Sequence, residues 1–367
     1  MKQHKLLPLE SLRGIAAISV ALYHFNTGSH FNNAFVSNAW LMVDFFFVLS
    51  GFVIALNYID NIKSAKELLT FQKKRFFRLY PLHLIMLVVF VCIEFAKYIV
   101  EVNFGLIANN RAFSVNNLQA FAANFVLLQN WTLSEVTYNK ASWSISAEFI
   151  TYAIFGSLIL ITNGKRILMA PILFFGVVIF GFILKDYGMG ADNVSGPLRC
   201  LYSFSIGAIV FMIYSFLKNS YSLQTSLVPL SLLFLSIFIV SIYGKKNIEY
   251  VQLIPILFGV SILTLVLSKK DIFIDRLLSA KWLVYLGTIS YGIYMIHAAI
   301  WWLITQLLRF IFRFPNQINH EGKVRIMIES QYLADLISIC GIGIIIMLAH
   351  FSYKFIEIQF NSVKPKG

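Results

Sequence analysis

Arg13 and His24 lie in a stretch from Leu9 to Phe25 that is otherwise apolar and reads as a first membrane span. Eleven steps of 1.5 Å place them about 16 Å apart along a helix, roughly half of a 30 Å hydrocarbon core. An arginine at that depth costs at least about 2.5 kcal/mol to insert, so it marks a functional path and needs a partner. The competing reading is that Arg13 snorkels to one headgroup layer while His24 sits at the other. Other ionisable residues recur inside apolar stretches, namely Asp44, Glu148 and Arg199. A histidine beside a carboxylate is a general base, because the acid fixes the tautomer and stabilises the imidazolium. His24 with Glu148 or Asp44 is therefore the expected catalytic set. The alternative for Asp44 and Arg199 is a polar clamp that fixes helix packing. No tight His/Cys ligand spacing occurs, so no metal is expected.

A second group is basic. Between Gln72 and Pro81 stand Lys73, Lys74, Arg75 and Arg78, read here as a loop ahead of the third span. One reading is ordinary cytoplasmic loading and binding of acidic lipid. The other is a phosphate clamp, since Arg75 and Arg78 are three apart and on one helical turn would face the same anion. A basic mouth with a His–acid centre deeper in the membrane suits a phosphorylated donor that reaches inward.

The elements that must position these residues follow from composition. Of 367 residues 58% are hydrophobic and 13% charged, against a usual charged share of about 25%. A soluble chain of this composition would expose too much apolar surface. The fold class expected is therefore an all-α, polytopic membrane bundle of about ten transmembrane helices, at 7–27, 40–59, 81–100, 143–161, 167–184, 198–217, 227–243, 250–268, 282–305 and 333–353. Asn-Gly at 163–164, Ser-Gly-Pro at 195–197 and Gly-Lys-Lys-Asn at 244–247 mark breaks. The segment 118–131 is short and carries Gln119, Asn124 and Gln129, which suits a re-entrant or interfacial helix.

Arg13 interrupts the first apolar stretch and no small-residue cleavage site follows, so a retained helix is expected rather than a leader. Residues 1–367 read as one integral-membrane domain without a soluble appendage. Lys and Arg, with a net charge of +13, favour both termini inside, with Lys245 and Lys246 as exceptions. The basic residues form no soluble basic domain, so membrane lipid rather than nucleic acid is the expected partner. Cys92, Cys200 and Cys340 lie in apolar runs and suggest neither disulfides nor a metal site.

Ordered motifs then carry a resemblance. They are Leu-Arg-Gly at 12–14 with Tyr23-His24-Phe25, Val-Asp-Phe-Phe-Phe-Val-Leu-Ser-Gly-Phe at 43–52, and Arg-Phe-Phe-Arg-Leu-Tyr-Pro at 75–81. Trp-Ser-Ile-Ser-Ala-Glu-Phe follows at 143–149, then Leu198-Arg199 with Phe204 and Gly207, and Ser-Tyr-Gly-Ile-Tyr-Met-Ile-His at 290–297. The set resembles acyltransferase family 3, bacterial multi-pass enzymes that O-acylate surface polysaccharides and related acceptors.

The resemblance implies acyl-CoA, by default acetyl-CoA, as donor and a hydroxyl of a carbohydrate or glycolipid as acceptor, in the bacterial cytoplasmic membrane. It makes Arg13 and His24 the family's arginine–histidine pair, and Arg75 and Arg78 its double-arginine motif. Arg13, Arg75, Arg78 and Lys74 would hold the donor. Arg199, Trp143, Tyr291, Tyr294 and His297 fall to the acceptor side. Tyr291, Tyr294 and His297 share a helix face, where aromatic packing is an equal reading for the tyrosines. Ser50 and Gly51 read as small residues for close helix approach rather than as chemistry. His24 as an acyl-carrying nucleophile is as legal as His24 the base. A glycolipid transporter or flippase is the rival from another class, though no inverted repeat supports it.

Overall fold

The computed structural model describes residues 6–108, 110–243, 250–270, 272–318 and 324–361. Their regular elements are nearly all helices, apart from a short antiparallel pairing of Asn316–Ile318 with Val324–Ile326 and an isolated bridge between Leu223 and Ser268. The expected break at 244–247 and the basic residues Lys2, Lys5, Lys245, Lys246, Lys364 and Lys366 lie outside the described residues.

The first helices are α1 (Leu7–Tyr23), α2 (Met42–Tyr58), α3 (Ala65–Phe104), α4 (Leu118–Phe125), α5 (Trp143–Thr162) and α6 (Arg166–Tyr187). There follow α7 (Ser195–Leu217), α8 (Leu227–Tyr243), α9 (Ile254–Leu267), α10 (Lys281–Thr288), α11 (Ser290–Gln306) and α12 (Gln331–Ser352). Among the described residues seven helices are long and apolar enough to cross a membrane, and two more apolar ones, Leu227–Tyr243 and Val251–Leu267, are shorter. Length and apolarity thus single out seven crossing helices where ten were expected. The segment α1 has 17 residues and is interrupted by Glu10 and Arg13.

Two expected elements differ in form. The basic run before the third span is not a loop but part of α3, a single helix of 40 residues through Pro81. A capping box starts it: the Ser64 hydroxyl accepts from the Glu67 N–H, and the Glu67 carboxylate accepts from the Lys63 N–H. At about 60 Å it is twice the hydrocarbon thickness, so its basic first turns can project beyond the core. The expected span 282–305 is two helices, because the chain bends at Ile289 between α10 and α11. There α10 lies against α1 backbone to backbone. A Cβ on Gly287 would run into the Glu10 carbonyl, and one on Gly14 into the backbone of Gly287 and Leu286.

The centre of the bundle is α2, which buries 78% of its most apolar stretch, whereas α6 buries 17% of its own and presents the rest outward. Helix α7 runs alongside α2 at the closest approach the backbone allows. A Cβ at Gly51 would strike the Phe204 carbonyl, and one at Gly207 the Val48 carbonyl. The expected breaks at 163–164 and 195–197 are real. Asn163 and Gly164 both turn left-handed to end α5. Helix α7 starts at Ser195, where the Asp192 carboxylate accepts from the Val194 and Ser195 N–H groups.

Candidate active site

A cavity of about 300 Å³ opens between α1, α2, α3, α5 and α11, and the segment after α12 closes one side. Its basic end holds Arg13, Arg75 and Arg78; its other end holds Phe46, Ser144 and Tyr294. Arg13 finds its partner one turn back, with Nη1 3.0 and 3.2 Å from the Glu10 carboxylate oxygens. Arg75 donates to the Tyr58 hydroxyl at 3.3 Å, with its guanidinium 5.5 Å from that ring's centre and 6.0 Å from the Tyr152 ring. Its Nε is buried without a hydrogen-bond partner among the described residues. Because α3 is helical here, Arg75 and Arg78 share one face and both reach the cavity. Lys74 is exposed and is not among the lining residues.

Glu148 sits within this cavity. Its Oε1 accepts from the Ser50 hydroxyl at 2.5 Å and from the Tyr152 hydroxyl, and those two hydroxyls are 2.8 Å apart. Ser50 and Gly51, read together as packing residues, therefore part company. Gly51 admits Phe204, while Ser50 reaches the carboxylate.

The ionisable residues Asp44, Glu148 and Arg199, singled out with His24 from the sequence, divide into separate groups. Asp44 and Ser50 are six residues apart on α2, about 9 Å along its axis, so the two carboxylates occupy different levels. Asp44 takes Arg199 at 2.9 and 3.0 Å from Nε and 2.6 Å from Nη2. Arg199 also donates to the Trp40 and Met189 carbonyls, and its guanidinium lies 4.8 Å from the Trp40 ring and 5.3 Å from the Trp143 ring. The Ser203 hydroxyl completes the group with a 3.2 Å bond to Asp44. The geometry is that of a polar clamp between α2 and α7. Asp44, Arg199 and Trp143 are buried in it and do not line the cavity.

His24 caps the far end of α1, exposed, where Phe25 stacks on Trp301 at 4.1 Å and the Trp301 N–H donates to the Ala21 carbonyl. Its ring lies between Tyr23, at 4.9 Å centre to centre, and His297, at 5.0 Å. Tyr291 and Tyr294 line the cavity as one face of α11, and Tyr291 donates to the Leu79 carbonyl at 2.5 Å. His297, one turn beyond Tyr294, lies outside the lining and against His24. Among the described residues no group of three or more His, Cys, Asp or Glu side chains gathers.

Glu10, Tyr152 and Glu357 line the cavity and were missed. Two had a signal in the sequence, since Glu10–Arg13 and Glu148–Tyr152 are i,i+3 and i,i+4 pairs. Glu357 had none, because it follows the last expected span.

The acyltransferase-domain family profile matches residues 8–351. The chain belongs to this acyltransferase family. It is 25% identical, over 98% of its length, to a Staphylococcus aureus protein named "Putative O-acetyltransferase", and it spans 58% of that relative's length. It is also 30% identical over 163 residues to the acyltransferase MdmB of Streptomyces mycarofaciens, covering 41% of this chain and 38% of that one. No solved structure matches significantly. Within this acyltransferase-family chain, the matched region includes every cavity residue from Glu10 to Tyr294.

Proposed function

We propose that the chain is an integral-membrane O-acyltransferase that moves an acyl group, acetyl by default, from cytoplasmic acyl-CoA to a hydroxyl of a carbohydrate or glycolipid at the bacterial envelope. The observation that carries this reading is the cavity itself, with three arginines at one end and the His24–His297 pair one helical turn beyond the other. The donor's phosphates dock on Arg75 and Arg78 while Arg13, steadied by Glu10, meets the pantetheine arm. The thioester then lies near Ser50, Glu148 and Tyr152, and His24 removes the acceptor's proton from the opposite face. In this reading both termini are cytoplasmic. Helices α1, α8 and Val251–Leu267 bring the crossings to about ten, since 17 residues is near the minimum span. Purified protein that neither hydrolyses nor transfers acetyl from acetyl-CoA would sink the proposal.

Two substitutions test its parts. Replacing Arg75 and Arg78 together by Gln is expected to weaken CoA binding at least about tenfold, and the wild-type affinity should fall with added salt. Titration calorimetry reads this, and unchanged binding would return the basic run to a topology signal. Glu148→Gln keeps an acceptor for Ser50 and Tyr152 but removes a negative charge from a cavity holding three arginines. Turnover should fall on the order of a hundredfold while CoA affinity holds or rises. Weaker CoA binding with normal turnover would remove Glu148 from the chemical step.

A further inference from the structure

We propose that His297 is a proton relay between His24 and the cavity, an inference that rests on the acyl-transfer reading above. His297 is fully buried, at 0% exposure, yet neither ring nitrogen makes a well-aligned hydrogen bond among the described residues, with only the Ile293 and Tyr294 backbone of its own helix nearby. Buried polar side chains are nearly always paired, so an imidazole kept only to fill space ordinarily points an N–H at a carbonyl. Tyr294 does not satisfy it. Although the rings are 5.9 Å apart, the Tyr294 hydroxyl is committed to the Ala141 carbonyl at 3.0 Å and to the Ser144 hydroxyl at 2.8 Å. The other ring contact of His297 is His24, tilted by 32° at 5.0 Å.

The positions match a requirement of the reaction. The acceptor oxygen attacks the thioester carbonyl, a C–O bond forms and the C–S bond breaks, leaving a thiolate. The hydroxyl proton is taken up by His24 on the exposed side, whereas the thiolate is left inside the cavity that Tyr294 bounds. His297 follows Tyr294 by three residues, about 4.5 Å along α11, and so stands between the two. It accepts the proton from His24 on one nitrogen and releases its own from the other, so the sulfur departs as a thiol and both histidines return to neutrality. Such a transfer needs two ring nitrogens not already tied to fixed partners, which is how His297 is found.

The experiment uses the full chain in detergent, with acetyl-CoA as donor, water as the hydroxyl acceptor, and thiol release as the readout above a protein-free blank. His297→Gln and His297→Ala are each expected to lower release on the order of a hundredfold, with acetyl-CoA affinity and thermal stability unchanged. Added imidazole should restore the Ala variant. Pyrrole, which has the same ring size but no basic nitrogen, should not. Retention of more than half the release by His297→Gln, or equal rescue by pyrrole and imidazole, overturns the relay and leaves the acyl-transfer reading standing. A wild-type chain that releases no thiol overturns both.

Discussion

Replacing His24 by Ala is expected to reduce acyl transfer by about a hundredfold to ten-thousandfold, the usual loss when a general base is removed. The protein should still fold. The His24 side chain is exposed at the end of α1, and Phe25 on Trp301 and the Trp301 bond to Ala21 fasten the helix there. A packing glycine reinforces that anchor, because Gly341 of α12 leaves room for the Trp301 ring that no Cβ would permit. Donor binding should survive as well, since Arg13, Arg75 and Arg78 lie at the other end of the cavity. Steady-state kinetics with a CoA-binding measurement checks both halves. More than half of wild-type turnover in His24→Ala would remove His24 from the mechanism. Ping-pong kinetics in the wild type would instead make His24 an acyl carrier.

The second large effect concerns stability. Asp44 is 0% exposed and Arg199 2%; Arg199 supplies most of the hydrogen bonds to Asp44, and Asp44 is the only charged partner that Arg199 has among the described residues. Asp44→Asn is expected to cost about 3–5 kcal/mol, because it leaves the guanidinium charge buried without its counter-ion. Removing both charges, as Asp44→Leu with Arg199→Met, should recover much of that loss. Thermal unfolding of the purified variants separates the cases. If Asp44→Asn melted like the wild type but lost turnover, the pair would belong to the chemistry and not to the packing.

Much of the site was legible because helical spacing is a strong constraint. Arg75 with Arg78, and Tyr291 with Tyr294, each share a face wherever the surrounding helix goes. The family motifs located the same residues independently, since each lies in a short ordered string. The breaks at Asn163–Gly164 and at Ser195–Pro197 were readable for the same reason, being local backbone events between near neighbours, whereas the Asp192 cap emerged only in the structure. The continuity of α3 was less so. Pro81 and the four basic residues argue for a boundary, and the Ser64–Glu67 box that starts the helix further back decides otherwise.

The sequence by itself determined that this is an apolar helical chain of the acyltransferase family, which helices carry the ionisable groups, and which of those groups share a helix face. Only the tertiary structure decided which groups meet across helices. Depth along a single helix does not fix depth in the bundle, because each helix enters at its own level and is slid into place by its closest contacts. Gly51 and Gly207 let α2 and α7 lock side by side, which joins Asp44 to Arg199. On the same α2, Ser50 lies about two turns further along and meets Glu148. Gly14 and Gly287 seat α10 on α1, while Trp301 and Phe25 bind α11 to the end of α1 and bring His297 under His24. Those contacts depend on which helices meet, which no pattern along one stretch of sequence encodes, and they set the His24 ring beside that of His297.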